Sequence, residues 1–310
     1  MFASNGVVNL SGIKKRDLLI AEFGEGRFDY AGDSCKDLPV WAAARHALAV
    51  GVSAGVRAKL RALAIPLELD FARPPVKVTR DLLRAIRVHQ WTKNILIFAP
   101  LMLAHQWADW SRIVAVLACF FALSFLASAC YIVNDLVDLP ADRRHPLKRM
   151  RPFAAGSLSI ASAVLLVPLL LLLGVLCASA LPPTLWGLLA TYVGVTISYS
   201  AYLKRTLYLD VATLAGLYAL RIWAGAVAAQ VPVSPWLIMF SVFFFSSLAL
   251  AKRVSELLNL RRSGGDRTEG RGYSVDDQAA PAIMGISSAY VAVLVLGLYM
   301  NSSDVSRLYR

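Results

Sequence analysis

Between residues 93 and 300 the chain alternates long apolar runs with short charged ones. Residues 113–133 are uncharged, and about twenty such residues suffice for a helix to cross a bilayer. Residues 152–203 contain no Asp, Glu, Lys or Arg, which leaves room for two crossings divided at Leu181-Pro182-Pro183. Further runs cover residues 209–229, 236–251 and 280–300. A shorter run, residues 93–106, begins at the end of the amphipathic stretch 81–91. The pattern predicts seven spans. Residues 1–65 read as soluble instead. There Phe28-Asp29-Tyr30-Ala31-Gly32-Asp33-Ser34 predicts a strand running into a loop, followed by a helix and a short apolar strand over residues 47–52. Residues 66–92 form a basic connector with Arg73, Pro74, Pro75, Lys77, Arg80, Arg84 and Arg87. Such juxtamembrane charge contacts anionic lipid.

Composition agrees with a membrane protein. The 310 residues are 57% hydrophobic, and mean hydropathy is +0.57. The net charge of +12 reads as cytoplasmic loops on anionic lipid, not as nucleic-acid binding. No apolar run in residues 1–60 precedes a small-residue cleavage site, so no cleavable signal peptide is expected. Cys35, Cys119, Cys130 and Cys177 lack paired or metal-site spacing, and no disulfide is expected. The loops with Arg143 to Arg151, Lys204 and Arg205, and Lys252 to Arg271 are basic, whereas loops 105–111, 179–184 and 230–235 carry no Lys or Arg. The positive-inside rule puts the N-terminus and the three basic loops in the cytoplasm of a plasma (inner) membrane protein.

Chemistry concentrates where the run 113–133 ends. Asn134, Asp138 and Asp142 are spaced by four, and Asp135, Asp138 and Asp142 follow i, i+3, i+7, so on a helix their oxygens share one face. Pro140 should kink or end that helix. Hard oxygen ligands suit Mg²⁺, which takes one or two carboxylates and completes its shell with substrate phosphate oxygens. Basic residues follow at once, among them His145, Lys148, Arg149 and Arg151. Acid for a metal followed by base for phosphate reads as a diphosphate site. A solvated loop of mixed charge is the plain alternative, and three acids in phase at a membrane boundary weigh against it.

A second group lies on the same predicted side. Tyr199 and Lys204 close the fourth span and Asp210 opens the fifth. Arg221 sits eleven residues on, about 16 Å deeper at the usual helical rise. Arginine at that depth is costly and needs a polar cavity or a partner; bonding to neighbouring carbonyls and contact with phosphate both remain open. Lys252 and Glu256 are an i, i+4 pair, with Arg253 between them. The polar loop 259–278 has the character of a lid, and its Arg271-Gly272-Tyr273 and Asp276-Asp277 are weaker candidates.

From about residue 86 onward the chain resembles the UbiA superfamily of intramembrane prenyltransferases. The resemblance rests on NDxxDxxxD at Asn134 to Asp142, HPxKRxRPxAxG at His145 to Gly156, and YSxxLK at Tyr199 to Lys204. It implies an all-α polytopic bundle, usually of nine spans, around a cytoplasm-facing polar pocket with a lateral opening for a polyprenyl chain. About seven of those spans are visible, so C-terminal truncation is expected. Asn134, Asp135, Asp138 and Asp142 would hold Mg²⁺ and a diphosphate. Lys93, Lys148, Arg151, Tyr199, Lys204, Arg221, Lys252, Arg253 and Glu256 would bind substrate. Most members carry a second Asp-rich motif after the sixth helix. Here Lys252-Arg253-Val254-Ser255-Glu256 stands in its place. Together with Gln90-Trp91-Thr92-Lys93-Asn94, that resembles the decaprenyl-phosphate phosphoribosyltransferase branch. The resemblance implies a membrane transferase of cell-envelope biosynthesis. It would act on a polyprenyl phosphate or diphosphate with a soluble phosphorylated or aromatic co-substrate.

Gly32-Asp33-Ser34 with Asp37 resembles the fourth motif, GDSxxD, of haloacid-dehalogenase-like phosphatases. That family would use these acids for Mg²⁺ and an upstream base, here Lys14 or Lys15, for phosphate. Its DxDxT nucleophile motif is absent from residues 1–65. The expected organisation is therefore a small α/β haloacid-dehalogenase-like remnant without phosphatase activity (1–65), the connector (66–92) and the UbiA-like domain (93–310).

Overall fold

The computed structural model describes residues 10–63, 67–71, 78–264 and 272–301. Residues 72–77, which hold Arg73, Pro74, Pro75 and Lys77 of the connector, lie outside them, as do Arg271 and the C-terminal arginines Arg307 and Arg310. The chain divides into two compact units, Met1–Lys77 and Val78–Arg310.

The first unit contains α1 (Ile13–Phe23), β1 (Asp29–Gly32), α2 (Leu38–Ala43), β2 (His46–Val50), α3 (Ala54–Ala62) and β3 (Leu67–Phe71). The strands form a parallel sheet in the order β1-β2-β3. Parallel strands need helical connections, and α2 and α3 provide them. Trp41, Ala47, Ala49, Val56 and Leu60 form the core. The Trp41 indole N–H donates to the Tyr30 carbonyl at 3.1 Å. Ser53 caps α3, accepting from the Val56 amide at 3.3 Å. Gly32 is required where it stands, because a methyl group there would lie 2.8 Å from both the Asp37 Cβ and the Trp41 ring. The third strand was not expected, since Leu67–Phe71 falls in the stretch read as connector.

The second unit begins with α4 (Val78–Ala85), a 3₁₀ segment (Val88–Phe98) and α5 (Ala99–Leu103). It continues through α6 (Trp110–Val137), α7 (Leu139–Arg144), α8 (Ile160–Ala178), α9 (Pro183–Ala201), α10 (Leu209–Ala229), α11 (Pro235–Arg262) and α12 (Ala279–Met300). Caps set several boundaries. Asp109 accepts from the amides of Ser111 and Arg112 at the start of α6, at 3.0 and 3.3 Å. Ser159 and Ser234 do the same for α8 and α11.

Among the described residues five helical segments are long and apolar enough to cross a membrane: α6, α8, α10, α11, and α12 with its preceding turn (Val275–Met300). The other two of the seven expected spans fall short by length or composition. Of these, α9 has 19 residues but carries Thr184, Thr191, Tyr192, Thr196, Ser198 and Tyr199, which lower its hydropathy. The other, expected over 93–106, is broken. Arg87 and His105 adopt left-handed backbone, at φ 53° and 54°, and Pro100 cannot donate an amide hydrogen. The result is eleven residues of 3₁₀ helix and five of α-helix.

Packing holds this broken segment in place. It lies against α10 where Ala224, Gly225 and Ala228 present small side chains, and a methyl group at Gly225 would collide with the Ile97 carbonyl. Small residues permit such close approach in membrane bundles. Ser124 and Ser128, one turn apart on α6, grip it from the other side. Asn94 donates to Ser124 Oγ at 2.9 Å, Trp91 Nε1 to Ser128 Oγ at 3.0 Å, and Ser128 Oγ to the Ile86 carbonyl at 2.7 Å. Ile97, Leu101, Leu123, Leu185, Leu189, Tyr192 and Leu217 fill the shared core. Leu165, Leu172, Ile283 and Val293 are exposed, an apolar exterior suited to hydrocarbon and not to water.

Candidate functional site

The helix carrying Asn134 and Asp135 stops at Val137, and α7 restarts at Leu139 with Pro140 in its first turn, as the proline predicts. The break divides the acids. Asp135 and Asp142 are buried, at 3% and 2% exposure, whereas Asn134 and Asp138 are partly exposed. Asp135 Oδ1 accepts from Arg87 Nη2 at 2.6 Å and from Arg151 Nη1 at 3.1 Å. The same Arg151 nitrogen donates to Asp142 Oδ2 at 2.6 Å. Lys204 Nζ stands 4.0 Å from Asp138 Oδ2. Arg151, from the basic run, and Lys204, from the end of α9, therefore meet the acid motif, while Lys148 is exposed. In the sequence Arg87 belongs to the basic connector and not to the predicted site. Its left-handed backbone turns the chain there, its guanidinium lies 5.0 Å over the Tyr131 ring, and no local pattern in the sequence marks either feature.

Arg221 is 5% exposed and fully engaged. It donates to Asn94 Oδ1 at 2.8 Å, the Leu217 carbonyl at 2.6 Å and the Tyr192 hydroxyl at 3.0 Å. Its guanidinium also faces the Tyr192 and Tyr218 rings. Asp210, which shares its helix, does not pair with it. Lys93 and Lys252 are exposed. Lys93 lies within the electrostatic reach of Arg221, Lys252 and Arg87.

A third group forms around Asp210. Its Oδ2 accepts from Arg253 Nε at 2.7 Å, and its Oδ1 accepts from the Tyr273 hydroxyl at 2.7 Å and from the Val211 amide at 2.8 Å. Arg253 Nη1 donates to Glu256 at 2.6 Å. Glu256 thus pairs with Arg253 at i, i+3, while Lys252, its i, i+4 neighbour, is exposed. Tyr199 lies in the field of Arg253, Asp210 and Glu256. Burial, then the bond to Asp210, pushes the Tyr273 phenol far up, so it keeps its proton and donates. Asp277 accepts from the amide and hydroxyl of Ser274, both at 2.8 Å, and caps the next turn.

Among the described residues no three His, Cys, Asp or Glu side chains form a ready metal cage. The donor set of the first motif still fits Mg²⁺, which needs one or two carboxylates when substrate phosphate supplies the rest. Asp138 is partly exposed and Asp135 lies one turn earlier. Between α5, α10, α11 and α12 an apolar cavity of about 640 Å³ is lined by Leu103, Ile222, Trp236, Phe240, Val295 and Tyr299, among others.

In the first unit a cavity of about 330 Å³ is lined by Lys15, Tyr30, Asp33, Ser34 and Asp37, among others. Lys15 donates to the Tyr30 hydroxyl at 2.8 Å, which donates to Asp37 at 2.9 Å. Asp37 also accepts from the Asp33 and Ser34 amides and from Ser34 Oγ. Burial pushes the Asp37 carboxyl up, but these donors overcome it and hold the carboxyl below its ordinary value.

Residues 95–303 match the UbiA prenyltransferase family. The uncharacterized protein y4nM of Sinorhizobium fredii is 39% identical over 301 residues, 96% of this chain and 57% of that protein. Nodulation protein NoeC of Azorhizobium caulinodans is 39% identical over 223 residues, 72% of each chain. The decaprenyl-phosphate phosphoribosyltransferase of Mycolicibacterium smegmatis is 34% identical over 199 residues, 62% of each chain. This chain therefore spans less than two thirds of the length of two of these relatives. A UbiA homolog from Archaeoglobus fulgidus, solved with DMAPP and Mg²⁺, has the same fold. Its TM-score is 0.56 over 70% of this chain and 76% of that one, at 18% identity.

Proposed function

The chain belongs to the UbiA prenyltransferase family and is a multi-pass membrane protein, and from that premise we propose that it transfers phosphoribosyl from phosphoribosyl diphosphate to a polyprenyl phosphate. In this reading the acid motif and the three basic loops face the cytoplasm, and Lys93, Lys148, Arg151, Tyr199, Lys204, Arg221, Lys252, Arg253 and Glu256 surround or support the substrates. The observation that carries the reading is the set of ion pairs that Arg87, Arg151 and Lys204 make with Asp135, Asp142 and Asp138, with Lys93 and Lys252 left exposed as further cations. A reaction between a diphosphate and a lipid phosphate must hold two separate phosphate groups, and an aromatic acceptor needs no such second set of cations. The 34% identity to a decaprenyl-phosphate phosphoribosyltransferase supports the same donor.

An oxygen of the lipid phosphate attacks the anomeric carbon as the bond from that carbon to diphosphate breaks. Mg²⁺ held by Asn134, Asp135, Asp138 and Asp142 would neutralise the departing diphosphate. Arg87, Arg151 and Lys204, already beside those acids, supply donors for its oxygens. Lys93 and Lys252 are the exposed cations for the lipid phosphate. Arg221 orients Tyr192 and Asn94 beneath them. The apolar cavity supports a long hydrocarbon tail crossing the bundle. Closing the site near the bilayer excludes water that would compete for the anomeric carbon. A haloacid-dehalogenase-like origin of the first unit fits its Asp37–Lys15 contact of 3.6 Å.

The test supplies membranes bearing the full-length chain with polyprenyl phosphate, radiolabelled phosphoribosyl diphosphate and Mg²⁺. Labelled lipid that disappears in Lys252→Ala is expected. No labelled lipid, with product instead from a prenyl diphosphate and 4-hydroxybenzoate, would overturn the donor and make the protein an aromatic prenyltransferase.

A further inference from the structure

Arg253 was expected to contact substrate, yet it is only 2% exposed and two of its nitrogens already donate to Asp210 and Glu256. Asp210 is fully buried, and its second oxygen takes the Tyr273 hydroxyl. Tyr273, itself 1% exposed, does more than satisfy Asp210. Its oxygen also accepts from the Tyr208 amide at 3.1 Å, and the two rings meet edge to face with centroids 6.3 Å apart. Tyr208 is a non-glycine residue at φ 63°, a conformation that needs outside support. Next door, Gly272 lies so close to the Arg205 carbonyl that a Cβ would sit 2.6 Å from the oxygen. Gly272 and Tyr273 therefore seat against the turn of residues 205–208 at three points: a backbone approach, a hydrogen bond and a ring contact. That turn begins directly after Lys204, whose amine is 4.0 Å from Asp138.

We propose that Gly272 and Tyr273 form a clasp, anchored on the buried Asp210–Arg253 pair, that positions the Lys204 turn against the acid motif. Tyr273, Asp210 and Arg253 are then positioning residues, and the contacts to phosphate fall to Lys204 and the exposed cations. The proposal rests on the reading of Asp138 and Lys204 as part of a diphosphate site. It gives the stretch before α12 a function that its sequence composition does not suggest, because the segment acts through a turn more than sixty residues earlier in the chain.

The test compares wild type with Tyr273→Phe, which keeps the ring and removes only the hydroxyl, in the full chain in lipid nanodiscs. Hydrogen exchange over residues 203–210 should rise by about fivefold, the ratio one net hydrogen bond controls. Exchange in α6 should stay unchanged. Acetylation of Lys204 should accelerate, and inorganic diphosphate with Mg²⁺ should bind several-fold more weakly. Gly272→Ala should reproduce all three changes through the clash with Arg205. Unchanged exchange and unchanged Lys204 labelling in both variants would overturn the clasp. So would faster exchange without any change at Lys204. If wild type binds no diphosphate while Tyr273→Phe still frees Lys204, the clasp stands and the diphosphate site falls.

Discussion

Removing one charge of the Asp210–Arg253 pair should cost far more than its two-residue extent suggests. Asp210 is 0% exposed and Arg253 2%, and their contact is 2.7 Å. Breaking a buried pair strands the surviving charge, which costs about 3–5 kcal/mol. The two single variants are not equivalent. In Arg253→Met, Asp210 retains the Tyr273 hydroxyl and the Val211 amide as donors, so the loss should fall near the lower figure. In Asp210→Asn, Arg253 is left with the partly exposed Glu256 as its carboxylate partner among the described residues, and the Tyr273 bond loses its charged acceptor. That loss should approach the upper figure. The double variant removes both charges and leaves no stranded ion. It should be more stable than Asp210→Asn alone, with a coupling of about 2–3 kcal/mol. Thermal unfolding in detergent, followed by fluorescence of the seven tryptophans, measures all three. At about 2–4 °C per kcal/mol, the single variants should lose roughly 6–20 °C. Strictly additive losses, or single-variant losses below about 1 kcal/mol, the range of an exposed pair, would refute the buried ion pair.

Asp135→Ala and Asp138→Ala should each lower phosphoribosyl transfer by more than about tenfold, or about 1.4 kcal/mol in the barrier, with membrane insertion intact; smaller losses would make these acids loop charges only. Single cysteines at Ser157 and Ser263, in a background without Cys35, Cys119, Cys130 and Cys177, should label only from the cytoplasmic side, and labelling from outside would invert the topology. Asp37 tests the first unit by pH. Its folded carboxyl lies below the ordinary value, so its contribution is present above the unfolded value of about 3.9 and fades as pH falls through the lower folded value. Exchange protection of β1 and β2 should fall with acid in wild type, and Asp37→Asn should start lower and lose that part of the pH dependence. Parallel curves would exclude Asp37 as its source.

The sequence by itself determined the features that depend on local composition. The apolar runs marked α6, α8, α10, α11 and α12, because a helix crossing hydrocarbon needs about twenty predominantly apolar residues. The pair Pro182-Pro183 divided α8 from α9, and Pro140 marked the break that separates Asp135 on α6 from Asp142 on α7. The acid motif and the basic run after it were legible because their residues lie within a few turns of one another. Tertiary structure decided the rest. Arg87 reaches Asp135 across 48 residues through a left-handed backbone that no hydrophobic period encodes. Asn94 and Tyr192 share Arg221 because the small face of α10 lets the broken first segment approach. Tyr273 reaches Asp210 across 63 residues, and the first-unit strand Leu67–Phe71 pairs with β2 although its own sequence reads as connector. Partners of this kind are chosen by which surfaces fold together, and composition along the chain carries no record of that choice.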